Sequence, residues 1–129
     1  MSENNFKQQY EVFLIKAKQD LVLVEQVINN PDVSDEIKHF HLQQSVEKAL
    51  KSLLSFKGVQ FPKTHDIEDL IELAEENHIS LPAFINILAE LTPYAVEFRY
   101  ALSFDSLHEP EYYLKHVRDF IKFVEDTII

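Results

Sequence analysis

Two side chains in the last third of the chain are of types that act on phosphate groups. Arg99 is one of only two arginines, and its planar guanidinium can bind a phosphate through two parallel hydrogen bonds. His108 lies in a predicted loop, and imidazole titrates close to neutral pH, so this residue could act as a general base. The alternatives are an ion pair between Arg99 and a carboxylate, and an exposed loop histidine without a role.

A second set of candidates precedes the third predicted helix. Backbone N–H groups at the start of a helix can hold an anion, and Lys63, Thr64 and His65 stand beside that start. The alternative is a helix cap in which Thr64 or Asp66 accepts from the first turn. Lys48 lies in the preceding helix and, with neighbouring lysines, could complete a positive patch on an acidic surface. Such a run of charges is also typical of a solvated helix face.

Polar residues close to the apolar stripe of the second predicted helix have a structural interpretation. His41, Gln44 and Glu47 follow helical spacing, and buried polar groups must be hydrogen-bonded, so they could fix the register of neighbouring helices. His39 and His41 are two residues apart, which places them on different helix faces and argues against a shared metal. The chain has no cysteine, and no other metal-ligand spacing stands out. The sequence predicts no metal site and no cofactor.

The elements that would position these side chains are helical. Apolar residues recur every three or four positions along nearly the whole chain, which predicts amphipathic helices. The first helix ends before Pro31, because proline cannot continue a helix. The second begins at Ser34 or Asp35 and ends at Gly58, which suits the left-handed position that follows many helices.

Further helical segments follow in the second half. The third helix ends at Asn77-His78, and the next segment begins at Ser80. Thr92-Pro93 either kinks that segment or separates two helices. The last helix follows a predicted loop over residues 103–110. Four or five amphipathic helices with short connections predict an all-α, antiparallel up-and-down bundle that forms one domain over residues 1–129.

Composition excludes several classes of protein. The single glycine rules out a P-loop and a dinucleotide-binding fingerprint, and the absence of cysteine rules out disulfides and cysteine nucleophiles. The net charge of −10 repels nucleic acid and anionic lipid, so RNA could bind only at a local positive patch. No signal peptide and no membrane span is predicted, and the expected location is the cytoplasm.

Three ordered motifs carry a family resemblance. They are FHLQQSVEKALK at 40–51, FPKTHDIEDL at 61–70 and VEFRY at 96–100. In this order they resemble the HEPN domain family. The resemblance implies a helical bundle, usually a homodimer, that is involved with nucleotides or RNA and often acts beside a small nucleotidyltransferase. It makes Arg99 and Tyr100 candidates for nucleotide or anion binding, together with Lys48, Lys63, Thr64 and His65.

One branch of that family consists of metal-independent ribonucleases, often toxins, in which a histidine follows an arginine at short spacing. Here the gap from Arg99 to His108 is longer than in that signature. In some members a tyrosine after the histidine is modified by the partner nucleotidyltransferase, and Tyr112 and Tyr113 follow His108 at a different spacing. We therefore expect a non-catalytic bundle that dimerises and binds a nucleotidyltransferase partner, or a nucleotide through that partner. The alternatives are a divergent ribonuclease of a toxin–antitoxin pair, using Arg99 and His108, and a bundle that serves only as an assembly module.

Overall fold

Helices account for all regular secondary structure in residues 8–95 and 108–129, the part of the chain that the computed structural model describes. The elements are α1 (Gln9–Val27), α2 (Asp35–Phe56), α3 (Ile67–Glu76), α4 (Ile85–Leu88) and α5 (Pro110–Ile128), with a 3₁₀ helix (Ala89–Ala95) that continues directly from α4. The prediction of an all-α bundle is confirmed. No helix within these two ranges is long and apolar enough to cross a bilayer.

The first two helices form an antiparallel pair. Ser52 Oγ near the end of α2 donates to the carbonyl of Tyr10 at the start of α1, at 2.7 Å. At the other end, Lys38 Nζ donates to the carbonyl of Ile28 at 3.1 Å. The contacts therefore run in opposite order along the two helices, as the short connection between them requires.

The last helix packs against both members of this pair. Lys18 Nζ of α1 lies 2.6 Å from Glu125 Oε2, and Glu25 Oε2 lies 2.8 Å from Arg118 Nη2. These ion pairs also run in opposite order, so α5 is antiparallel to α1 and runs in the same direction as α2. Of the three long helices, α1 is thus antiparallel to the other two, and α2 and α5 are parallel to each other.

The core is centred on α2, which packs against α1, α3, α5 and the 3₁₀ helix. Its fully buried apolar residues are Leu42, Val46, Ala49, Leu50, Leu53 and Leu54. Burying one leucine side chain contributes about 2 kcal/mol, so this stripe is the main apolar support of the bundle. Ala17, Leu21 and Val24 of α1 are buried as well.

Two helices begin at side-chain caps. Ser34 Oγ accepts from the backbone N–H of Ile37 at 3.3 Å, and Asp66 Oδ1 accepts from that of Glu68 at 2.8 Å. The structure thus selects Ser34 and Asp66 from the alternatives that the sequence left open.

Two helices also end in the same hydrogen-bonded turn, called a Schellman motif. Gly58 follows α2 with φ +76°, and the N–H of Val59 reaches back to the carbonyl of Leu54 at 2.9 Å. The predicted left-handed position of Gly58 is confirmed. After α3 the left-handed residue is His78, at φ +60°, which the sequence did not indicate.

The segment after α3 differs from the prediction. The fourth helix begins at Ile85 and not at Ser80. Proline disfavours helical backbone in the residue before it, so the chain leading into Pro82 is not helical, and the N–H of Ile85 closes a turn on the carbonyl of Pro82 at 3.0 Å. Pro93 lies inside the 3₁₀ helix, so Thr92-Pro93 does not start a new α-helix within the described residues.

Candidate functional site

Glu47 is the centre of a buried polar cluster on α2. Only 3% of this residue is exposed. Its carboxylate accepts from Gln43 Nε2 at 3.1 Å, from Lys51 Nζ at 2.8 Å and from His65 Nδ1 at 3.2 Å. Because a buried carboxylate is costly without donors, these three contacts compensate Glu47 for its removal from water. We call the four residues, together with Gln44, the Glu47 cluster.

The amide of Gln43 links the Glu47 cluster to the loop before α3. Its Nε2 also donates to the carbonyl of His65 at 3.0 Å, and its Oε1 accepts from Gln44 Nε2 at 2.7 Å. Gln43 is fully buried, so these contacts satisfy polar atoms that water cannot reach. The first two sequence motifs thus meet in space through side chains that hold the loop on α2.

Lys48 points to a different neighbour. Its Nζ lies 2.7 Å from Asp20 Oδ2 of α1, and the other oxygen of Asp20 lies 3.0 Å from His41 Nδ1. The carboxylate of Asp20 is mostly buried between these two groups. The positive charge of Lys48 is therefore balanced inside the protein by α1.

The segment 63–66 forms the helix cap that was one of its two interpretations. Thr64 Oγ1 accepts from the N–H of Asp66 at 3.1 Å and lies 3.2 Å from Asp69 Oδ2. Lys63 is exposed. The side chain of His65 is 68% exposed although its Nδ1 contacts Glu47. Carboxylates of the chain itself already occupy the start of α3, and an anion site at Lys63, Thr64 and His65 stays a prediction.

His108 is held in place through its backbone. Its carbonyl accepts from Nε2 of the buried His39 at 3.0 Å, and its N–H donates to the phenol oxygen of Tyr113 at 3.3 Å. Tyr113 in turn donates to Glu90 Oε1 at 2.7 Å. Because the N–H and the carbonyl of His108 are both hydrogen-bonded, its backbone is held in place and its exposed ring projects from a defined point.

Burial changes the proton affinity of the groups behind His108. Burial lowers the pKa of His39 below its ordinary value, although the hydrogen bond to His108 and nearby carboxylates oppose that shift. The second ring nitrogen of His39, Nδ1, is buried without a hydrogen-bond partner. Burial, and then the hydrogen bond to Glu90, raises the pKa of Tyr113. Both side chains are therefore neutral at pH 7 and act as hydrogen-bonding supports.

A column of rings rises from His108 along one face of α5. The ring centroids of His108 and Tyr112 are 4.0 Å apart, those of Tyr112 and His116 are 5.1 Å apart, and Phe84 lies 5.5 Å from His116. Lys115 Nζ lies 5.4 Å from the centroid of Tyr112. We call His108, Tyr112, His116, Phe84 and Lys115 the aromatic column. Aromatic faces beside cations are the surfaces on which nucleic-acid bases stack.

The sequence reasoning found part of this arrangement. Tyr112 was noted only as a tyrosine after His108, and Lys115 and His116 were missed. Part of the signal was present, because Tyr112 and His116 are four residues apart and share one face of α5, whereas His108 precedes that helix. Asp20 was missed as the partner of Lys48, since nothing in local spacing links residues on two helices.

The remaining predicted site residues can be placed only in part. Arg99 and Tyr100 lie outside the described residues. Within 8–95 and 108–129, no group of three or more histidine or acidic side chains is arranged to hold a metal ion.

Comparison with known proteins assigns the chain to a family. The sequence model of the HEPN domain matches residues 10–127, which is nearly the whole chain. Neither a curated protein nor a solved structure matches it significantly. The family match spans all five α-helices and both motifs that build the Glu47 cluster. On this match the chain belongs to the HEPN domain family.

Proposed function

We propose that this protein is a HEPN-type binding module that recognises a nucleotide or RNA and acts as a homodimer beside a small nucleotidyltransferase. The observation that carries the proposal is the aromatic column at the start of α5. Tyr112 and His116 are partly exposed, His108 is exposed, and Lys115 lies beside them. In a chain with net charge −10, this is a place where rings and cations offer a base and a phosphate complementary surfaces.

The lysines of the first motif are paired with carboxylates of the chain. Lys48 and Lys51 are neutralised by Asp20 and Glu47, at 2.7 and 2.8 Å. The Lys48 pair joins α2 to α1 and the Lys51 pair lies within α2, so neither ammonium group is free to stabilise the charge that develops in a reaction. The most characteristic motif of the chain therefore builds the scaffold on which the column stands.

A second candidate function is metal-independent RNA cleavage by Arg99 and His108, as in a toxin of a toxin–antitoxin pair. The observation that favours it is the anchored backbone of His108, which gives its exposed imidazole a defined position. A general base needs such positioning.

One set of variants tests both candidates. Fluorescence anisotropy of a labelled single-stranded RNA is measured with the wild type, Tyr112→Ala and Tyr112→Phe. Removing an aromatic ring on which a base stacks costs about 1–3 kcal/mol of binding free energy. Tyr112→Ala should therefore weaken RNA binding roughly tenfold. Tyr112→Phe keeps the ring and should bind RNA as the wild type does. The same RNA is then incubated with the wild type and with His108→Ala in the presence of a chelator.

Each outcome has one meaning. The proposal expects binding that depends on the ring of Tyr112, no cleavage, and co-purification with the product of a neighbouring nucleotidyltransferase gene. Cleavage that is lost in Arg99→Ala and His108→Ala would replace it with the ribonuclease. A folded wild type that binds neither RNA, nucleotide nor the nucleotidyltransferase would contradict the proposal. The remaining alternative would then be a bundle that serves only as an assembly module.

A further inference from the structure

The ends of α2, α3 and α5 surround a cleft of about 600 Å³. Lys57 follows α2, His78 and Ser80 follow α3, and Thr127 lies in the last turn of α5. Clefts of about 300–1,000 Å³ are the usual size for small organic ligands. The aromatic column stands at the start of α5, a helix of 19 residues that is about 28 Å long. The cleft at the end of α5 is therefore separate from the column.

Three donor side chains in the lining of this cleft have no hydrogen-bond acceptor. Lys57 has no carboxylate partner in the described part of the chain, and its Nζ lies against the ring of Phe56, 5.9 Å from the centroid. The side chains of His78 and Ser80 make no hydrogen bond with the described residues either. We call Lys57, His78 and Ser80 the cleft donors.

The other polar side chains of the described lining already donate within the chain. Asn77 Nδ2 donates to the carbonyl of Leu73 at 2.8 Å, and Thr127 Oγ1 donates to that of Phe123 at 2.9 Å. None of the described residues that line the cleft carries a carboxylate. In a chain with net charge −10, a cleft that has an ammonium group and no carboxylate is a place where an anion meets positive charge.

His78 occupies its position in the cleft at a steric cost. Its φ of +60° is a conformation that glycine adopts freely and histidine does not. The turn after α3 would therefore form more readily with glycine, which holds the equivalent position after α2 as Gly58. A glycine could not supply an imidazole to the cleft, and residues with a strained backbone cluster at binding sites.

The cleft donors and the apolar wall beside them indicate the kind of anion. A planar carboxylate is best matched by the fork of an arginine, whereas an ammonium, a hydroxyl and an imidazole can each bind a separate oxygen of a tetrahedral phosphoryl group. The apolar wall is formed by Val59, Ile79 and Phe123, which are buried or half-buried. It offers the organic part of a ligand a surface from which water is released on binding.

We propose that the cleft at the ends of α2, α3 and α5 binds a small phosphomonoester that carries an apolar or aromatic group. The cleft donors Lys57, His78 and Ser80 hold the phosphoryl group, and the organic group packs against Ile79 and Phe123. This site goes beyond the proposed function and does not depend on it, because it shares no residue with the aromatic column.

The first test titrates the isotope-labelled full chain with phenyl phosphate and follows the backbone amide signals by NMR. Binding should be saturable, with the largest shifts at residues 57–59 and 78–80. Inorganic phosphate lacks the organic group and phenol lacks the phosphoryl group, so each should bind at least about tenfold more weakly. Shifts centred on Tyr112 would place the ligand in the aromatic column and would overturn the proposal.

The second test removes the charge of the cleft. Lys57→Met keeps an unbranched side chain and loses the ammonium group, so it should raise the dissociation constant of phenyl phosphate about tenfold. Lys16→Met is the matched control, because Lys16 is exposed on α1 and its loss changes the net charge equally. It should leave the dissociation constant unchanged. Circular dichroism confirms that both variants fold.

His78→Gly separates ligand binding from stability. It should weaken the binding of phenyl phosphate by about fivefold or more, because the imidazole is lost, and raise the temperature of unfolding, because the steric cost of positive φ disappears. A residue with only a structural role would change the temperature of unfolding and leave ligand binding as it is in the wild type.

Three further results would overturn the assignment of this site. They are the absence of saturable binding of phenyl phosphate up to about 10 mM, equal effects of Lys57→Met and Lys16→Met on binding, and undiminished binding by His78→Gly. Lys57 and His78 would then serve only to balance the C-terminal ends of α2 and α3, where positive charge is favourable. None of these results bears on RNA binding at Tyr112, so the proposed function is tested separately.

Discussion

Glu47 shows how one residue can be both a family motif and a structural requirement. Its carboxylate is almost completely buried, and its donors come from α2 itself and from the loop that leads to α3. Lys51 is also mostly buried, with 12% of its side chain exposed, so it depends on Glu47 for its counter-charge. Removing one member of such a pair leaves the other charge without compensation.

We therefore expect Glu47→Ala to be strongly destabilising. Loss of the carboxylate leaves Lys51 buried and unpaired, and the amide of Gln43 loses an acceptor. The free energy of unfolding should fall by about 3 kcal/mol, measured by urea denaturation. Glu72→Ala, on the exposed face of α3, is the control and should change it by less than about 0.5 kcal/mol. A similar small effect of both substitutions would show that the Glu47 cluster is not a structural centre.

The sequence marked these residues but could not supply their partners. Helical spacing placed Gln44 and Glu47 close to the core, and the motif at 61–70 brought attention to His65. The pairing of Lys48 with Asp20 joins residues 28 positions apart. That pairing depends on how α1 and α2 are aligned, which apolar periodicity does not determine because each stripe fixes a face and not a register.

At the scale of elements, the helix ends show which local signals a sequence carries. Both α2 and α3 end in a Schellman motif, with the N–H of Val59 bonded to Leu54 and that of Ile79 bonded to Ala74, each at 2.9 Å. The first was predictable because glycine readily adopts positive φ. The motif after α3 was not predictable, because a histidine is sterically disfavoured at positive φ and its residue type does not indicate that conformation.

This difference predicts opposite effects at two equivalent positions. His78→Gly should stabilise the protein by about 1 kcal/mol, because it removes the steric cost of the left-handed backbone. Gly58→Ala should destabilise it by about the same amount. A Cβ at position 58 would meet no atom within 4 Å, so the cost there is that of the backbone alone. Thermal unfolding of both variants measures the effects, and equal signs would contradict the explanation.

At the scale of the whole molecule, charge is distributed unevenly around a helical core that the sequence predicted well. The periodicity located the three long helices and α3 because each has a continuous apolar stripe. The start of α4 and the 3₁₀ helix were missed, since short elements are determined by tertiary contacts. The exposed residues of α3 are all acidic, whereas the three carboxylates of α1 are partly buried, and only the folded arrangement defines this exposure.

Global stability should depend on pH through His39. Its pKa is lowered in the folded protein, mainly by burial, while Asp35, Glu36 and Glu111 act in the opposite direction. A histidine whose folded pKa lies below its ordinary value of 6.5 binds its proton more readily in the unfolded state. The free energy of unfolding is therefore reduced as the pH falls below about 6.5, and this contribution is constant above it.

The comparison of wild type with His39→Gln isolates this contribution, because glutamine can still donate to the carbonyl of His108 but does not titrate. Acidification also reduces the net charge of −10 and so relieves repulsion in both proteins equally. Between pH 7.5 and 5.5 the wild type should lose about 1 kcal/mol relative to His39→Gln in urea denaturation. If the free energies of unfolding of the two proteins change in parallel with pH, the ring of His39 gains water or a partner when it is protonated. The contact between the start of α2 and the backbone of His108 would then be looser than the structure shows.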